Sequence, residues 1–160
     1  MQDMLEQKDV NKIKETVEEF FEKLTIKTSS IEVSLSSEED KDVANLDIKL
    51  EEPQILIGQG GQTLLEIQRL LRTILDRKLK KIFYLNLDIN DYKKQKIEYL
   101  KDMAKSLADQ VVLTKEEKTL PPMSSYERRI IHAELAQRMD VATESQGDGF
   151  DRHVVIRIKQ

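Results

Sequence analysis

The chain contains no cysteine and no tryptophan, only three prolines and five glycines, and 5% aromatic residues. Without thiolates it can form no disulfide, iron–sulfur cluster or cysteine zinc site, which excludes disulfide-stapled secreted scaffolds and zinc-finger readers. No apolar run is long enough to span a bilayer, and the opening MQDMLEQKDV is acidic where a signal peptide would be basic and then apolar. The expected setting is a reducing cytoplasm, with no membrane insertion. What the sequence has in quantity is charge: 35% of its 160 residues, 26 basic against 30 acidic, for a net −4. Residues 1–57 hold 7 Lys+Arg against 15 Asp+Glu, net −8; residues 58–105 hold 11 against 6, net +5; residues 106–160 hold 8 against 9, net −1. A basic middle third suits a polyanion docking on one region, while the acidic total argues against strong non-specific adhesion to nucleic acid.

Apolar residues at Val10, Ile13, Val17, Phe20, Phe21 and Leu24 recur at helical spacing and predict an amphipathic helix. Ile31, Val33 and Leu35, then Leu46, Ile48 and Leu50, alternate with polar residues and predict two half-buried strands joined by the polar loop SSEEDKD. A short helical turn near Pro53 leads into Gly58-Gln59-Gly60-Gly61. Leu64, Ile67, Leu71, Ile74 and Leu75 then define a helix closing at Lys80 and Lys81, and residues 82–89 read as a third strand. A long helix opens at Asp91 and runs to about Leu113. Pro121 and Pro122 force an extended piece, and Ser124 with Glu127 three residues later is a capping box that starts a helix running to about Met139. Val141–Ser145 and His153–Ile158 predict a hairpin turning at Gly147-Asp148-Gly149. The order is α-β-β-α-α-β, then a helix, an extended piece, a helix and a hairpin, which predicts an α+β protein of two modules, residues 1–89 and 90–160.

Three glycines in four positions put backbone without side chains at a helix N-terminus, where a sugar-phosphate strand can approach amide N–H groups and the helix dipole favours negative charge. The other reading is a tight turn that needs positive φ. Neither a P-loop nor a dinucleotide fingerprint fits, because no Lys follows the glycines and Asp76 lies mid-helix. Downstream, Arg128 and His132 share a helix face at i, i+4. Two readings stand for them: a phosphate contact, or an Arg stem and a His packed beside the core edge. Tyr126 is either a stacking platform or a core contact. Arg69 and Arg72 are either part of a basic surface or a solvated helix face neutralised by Glu66 and Asp76. Arg152, with His153 and Arg157, adds positive potential if it faces the same way. No nucleophile-base arrangement and no metal-ligand spacing is visible, so no catalytic residue, metal or cofactor is expected.

The stretch LIGQGGQTLLEIQRLL resembles the G-x-x-G segment of a type II KH domain, and its α-β-β-α-α-β surroundings, with a three-stranded sheet, match that fold. The stretch Pro-Met-Ser-Ser-Tyr-Glu-Arg-Arg-Ile-Ile-His resembles the R-x-x-x-H motif of an R-three-H domain. A KH module followed by an R-three-H module is similar to the bacterial Jag family, also called SpoIIIJ-associated proteins. The resemblance implies a non-catalytic post-transcriptional regulator that binds single-stranded RNA, with single-stranded DNA as the other candidate ligand. It implies that Gly58, Gln59, Gly60 and Gly61 clamp the nucleic-acid backbone and that Ile57, Leu64 and Leu65 wall a groove for bases. Arg128 and His132 would make a second contact, with Arg69, Arg72, Tyr126 and Arg152 alongside. It further implies a link to cell elongation and envelope synthesis, and a small stand-alone KH protein as partner. Two departures accompany it. The family's N-terminal Jag domain is expected to be absent, since residues 1–9 are too short to hold it, and the loop positions Gln59 and Gly60 carry no positive charge. The latter favours a rival function, a KH-fold adaptor for protein contacts with weak or lost nucleic-acid binding.

Overall fold

The computed structural model describes residues 5–38 and 41–159. It is a mixed α+β structure that divides into two compact units, with the boundary between Lys93 and Lys94.

In the first unit, helix α1 (Gln7–Lys23) precedes strands β1 (Ser30–Glu38) and β2 (Lys41–Lys49), the short helix α2 (Gln54–Ile57), a 3-10 turn (Gln59–Gly61), helix α3 (Gln62–Leu79) and strand β3 (Tyr84–Ile89). The sheet order is β1-β2-β3; β1 and β2 pair antiparallel, and β2 and β3 pair parallel with Val43 opposite Tyr84 and Ile48 opposite Ile89. A parallel neighbour requires a crossover, which α2 and α3 supply. This is the element order expected of a type II KH module. The strand pattern puts Ala44, Leu46 and Ile48 of β2 and Leu85, Leu87 and Ile89 of β3 on one face, where they meet Ile13, Val17 and Phe21 of α1 and Leu64, Leu71 and Leu75 of α3. Each large side chain buried in this way contributes about 1.5–3 kcal/mol. A buried ion pair, Lys81 Nζ to Asp9 Oδ2 at 2.8 Å, ties the residue after α3 and its cap to the first turn of α1. Asn90 closes the sheet end: its Oδ1 accepts from Leu50 N–H at 3.0 Å and its Nδ2 donates to Leu50 O at 2.8 Å.

Several boundaries differ from the sequence expectation. The strands β1 and β2 extend through much of SSEEDKD, and Glu39 and Asp40 of that stretch lie outside the described residues. Strand β3 begins at Tyr84 rather than residue 82; Phe83 is buried in the core while Ile82 is exposed.

The second unit contains most of α4 (Tyr92–Thr114), β4 (Lys118–Thr119), α5 (Ser125–Leu135), β5 (Val141–Gln146), a 3-10 turn (Gly149–Asp151) and β6 (His153–Ile158). Its sheet is β4-β6-β5, all antiparallel. Ala104 and Ala108 of α4 are fully buried with Leu100, Val111, Ile131, Leu135, Val154 and Ile156. Helix α5 starts where the capping box predicts: Ser124 Oγ accepts from Glu127 N–H at 3.3 Å and Glu127 Oε2 accepts from Ser124 N–H at 2.8 Å. It ends at Leu135, not near Met139, which is exposed; Arg138 is drawn off to Asp140 and Asp109 instead. The hairpin connection also runs longer than the expected turn, with a 3-10 turn between Gly147 and Arg152.

Candidate nucleic-acid interface

The three loop glycines all have positive φ, at +69° for Gly58, +63° for Gly60 and +88° for Gly61, yet they do different things. Gly58, with ψ −175°, occupies a region that is essentially glycine-only. A Cβ there would lie 2.0 Å from Thr63 Oγ1, and one on Gly61 would lie 2.8 Å from Tyr92 Cε1. Thr63 leaves no room for a side chain at Gly58, whereas at Gly61 it is the left-handed φ, with the end of the Tyr92 ring beside it, that favours glycine. Gly60 has nothing within 4 Å of a Cβ position, and it and Gln59 are exposed. The corner that points into open space is Gly60, directly ahead of the 18-residue helix α3, whose N-terminus has no side-chain cap. The positive end of that helix's dipole is thus presented at a corner with no side chain at Gly60.

Beside the corner, Ile57 is half-buried and Leu65 is 39% exposed. Leu64 does not wall a surface groove: at 3% exposure it belongs to the core stripe Leu64, Leu71 and Leu75 that α3 presents to the sheet. The edge strand nearest α3 is β3, and Gln68 of α3 already occupies part of that edge. Its Oε1 accepts from Leu87 N–H at 3.0 Å and from Lys93 Nζ at 3.2 Å. Burial lowers the Lys93 pKa, opposed by Asp88 and Asp47.

The cations after the loop are largely committed. Arg69 Nη1 meets Glu66 Oε1 at 3.0 Å, and Arg72 pairs with Asp76 while its guanidinium lies 4.2 Å over the Phe83 ring centroid. Burial depresses the Arg72 pKa. Arg72 is therefore a packed residue, not an open phosphate contact. Lys78 pairs with Glu19 at 3.2 Å and Lys81 with Asp9. Arg77 and Lys80 meet no acidic side chain among the described residues. In the second unit, Lys101 and Lys105 of α4 both reach Glu134, at 3.6 and 3.0 Å.

His132 also turns inward. Its Nδ1 lies 2.7 Å from Thr143 Oγ1 and its Nε2 2.8 Å from Ser145 Oγ, so both ring nitrogens are engaged by hydroxyls of β5. Burial, then the Arg128 charge, lowers its pKa and disfavours the protonated ring. His132 is thus a clamp between α5 and β5 rather than a free ligand contact. Arg128 is different: one guanidinium nitrogen donates to Met123 O at 2.8 Å, and no other acceptor meets it among the described residues. Tyr126 is 60% exposed, so it is not a core contact. Arg152 is exposed, and its carbonyl accepts from Met123 N–H at 3.1 Å, which places it against the segment that starts α5. Arg157 reaches Glu144 at 3.3 Å, and His153 Nδ1 lies 2.7 Å from Asp151 O.

Sequence reasoning missed the partners that decide these roles, namely Thr63, Tyr92, Thr143 and Ser145, and it missed the exposed Arg129 beside Arg128 and the fully exposed Phe150. Thr143 and Ser145 alternate on one predicted strand, a signal that both hydroxyls share a face; nothing in the sequence pointed to Tyr92. Among the described residues there is no cluster of three His, Cys, Asp or Glu that could hold a metal, and no helix long and apolar enough to cross a membrane.

Residues 98–157 match the R-three-H domain family. Over 146 residues the chain is 34% identical to the RNA-binding protein KhpB of Clostridium symbiosum, covering 91% of this chain and 64% of that protein. It is 36% identical over 125 residues to the protein of that name from Bacillus subtilis strain 168, covering 77% of this chain and 60% of the relative. A third, from Streptococcus pneumoniae D39, is 32% identical over 126 residues, covering 79% and 38%. The chain spans less than two thirds of the length of each of these relatives. The chain therefore matches the R-three-H domain over residues 98–157 and is homologous, over most of its own length, to KhpB proteins of the Jag family.

Proposed function

We propose that the chain binds single-stranded RNA, without catalysis, as a post-transcriptional regulator. The observation that carries this reading is the Gly60 corner: it is exposed, without internal cause to lack a side chain other than its φ, and set at the uncapped start of α3. A phosphate backbone passing there meets amide hydrogens and a favourable dipole, with Ile57 and Leu65 as apolar neighbours for bases. Arg128, Arg152 and Tyr126 supply a second contact region in the second unit. The RNA-binding names of the KhpB relatives support the ligand class. On the family resemblance, residues 1–89 act as the KH module and 90–160 as the R-three-H module, in the cytoplasm. A small stand-alone KH protein as partner and a role in cell elongation and envelope synthesis complete the proposal.

The adaptor reading draws on one specific observation: Arg69 and Arg72 are both paired within the protein and Gln59 is uncharged, so the first unit offers little free charge next to its loop. Titration of labelled single-stranded RNA and DNA across a salt series separates the two. RNA binding whose affinity falls log-linearly with salt is expected, with RNA ahead of DNA if the 2′-hydroxyl is read. Absence of salt-dependent binding at micromolar protein supports the adaptor. The double change Gln59→Asp with Gly60→Asp fits the open corner and should weaken RNA binding about 10-fold or more by adding two charges near phosphates. Unchanged affinity would remove the strand from this loop.

A further inference from the structure

Phe150 sits at the tip of the β5–β6 connection with its side chain wholly in solvent, 102% exposed relative to the reference state. The loop under it is closed by hydrogen bonds. Asp151 N–H donates to Asp148 O at 3.1 Å, closing the 3-10 turn, and His153 Nδ1 lies 2.7 Å from Asp151 O. Gly147 has φ +77°, and a Cβ there would lie 2.7 Å from Asp151 O, so the close packing of the loop base demands glycine. Arg152 anchors the far side through its carbonyl to Met123 N–H. A large aromatic ring on a fixed backbone loses little conformational entropy when something lies against it.

The surroundings select the partner. Asp148 lies two residues before Phe150 and Asp151 directly after it, so an anionic lipid surface laid across the tip is disfavoured, whereas the uncharged face of a base is not. Arg152, two residues on, is exposed with no acidic partner among the described residues, and Tyr126 stands exposed three residues beyond the Met123 to which Arg152 is bonded. We propose that Phe150 is a base-stacking residue, receiving the face of one unpaired base of a single-stranded RNA whose neighbouring phosphate lies on Arg152. This rests on the RNA reading above and adds a residue to it.

The test uses the whole chain and a labelled single-stranded RNA of random sequence. Phe150→Ala should lower affinity about 5- to 150-fold, the range for losing one stacked base, with the salt slope unchanged because no phosphate contact is lost. Arg152→Ala should lower affinity and flatten the slope by about one unit. Phe150→Trp should retain affinity, and in a chain that otherwise has no tryptophan its emission should be quenched as RNA is added. Binding as tight as the parent by Phe150→Ala, or by Phe150→Leu, or unaltered emission of the Phe150→Trp protein, overturns the stacking role alone. The Leu result would instead mean an apolar contact of the kind a protein partner makes. A parent chain that binds no RNA overturns the RNA reading and this inference with it.

Discussion

The glycine loop ahead of α3 and the R-x-x-x-H turn of α5 are both short motifs at helix starts, but their residues are engaged differently. In the loop, Gly58 is required by Thr63, Gly61 is covered by the Tyr92 ring, and Gly60 alone is open. In the α5 motif, His132 is held by two hydroxyls of β5, while Arg128 retains guanidinium N–H groups beyond its one bond to Met123. Each motif therefore contains residues that build the scaffold and a residue that the scaffold presents. A motif letter alone does not say which is which; the neighbour that fills or leaves the adjacent space does.

The largest effect expected from this division is at Gly58. Gly58→Ala combines a glycine-only backbone region with a collision against Thr63 and should destabilise the first unit by about 3 kcal/mol. Gly60→Ala meets only the left-handed backbone cost, about 1 kcal/mol. Urea midpoints of the two variants check the difference, and equal losses would erase the distinction between building and presented glycines. In the second unit, His132→Ala strands the Thr143 and Ser145 hydroxyls and should cost about 1–3 kcal/mol. Arg128→Ala should cost less stability and more RNA affinity. The reverse ranking would make His132 the ligand contact after all.

The smallest expected effect is on pH dependence. Because burial and Arg128 hold the His132 pKa below its unfolded value of about 6.5, the unfolded chain takes up the proton first. The stability of the neutral ring is complete above that value and is lost as pH falls toward the lowered folded pKa. Thermal melts between about pH 8 and pH 5 should show the second unit weakening on acidification, with a shallower dependence in His132→Gln.

Much of the fold was legible because its signals are local. The period-2 pattern of Leu46, Ile48 and Leu50 and the Ser124–Glu127 capping box need no tertiary information, and both are found in place, with Leu50 just past the end of β2. Leu64 was misplaced because helical periodicity shows a stripe without saying how deep each member lies. Arg72 and His132 were ambiguous for the same reason: Phe83 lies 11 positions from Arg72, and Thr143 and Ser145 lie 11 and 13 from His132. The i, i+4 pairing of Arg72 with Asp76 was readable, whereas the aromatic ring beneath it was not. Phe150 gave no sequence signal, since a single aromatic between two acidic residues is as consistent with a buried turn as with an exposed tip.

The most direct measurement is backbone amide NMR of the whole chain titrated with single-stranded RNA. Shift changes are expected to concentrate at residues 57–65, around the Gly60 corner, and at Tyr126, Arg128 and Phe150–Arg152. Changes confined to strands β1 and β2, with the Gly60 corner silent, would contradict this expectation.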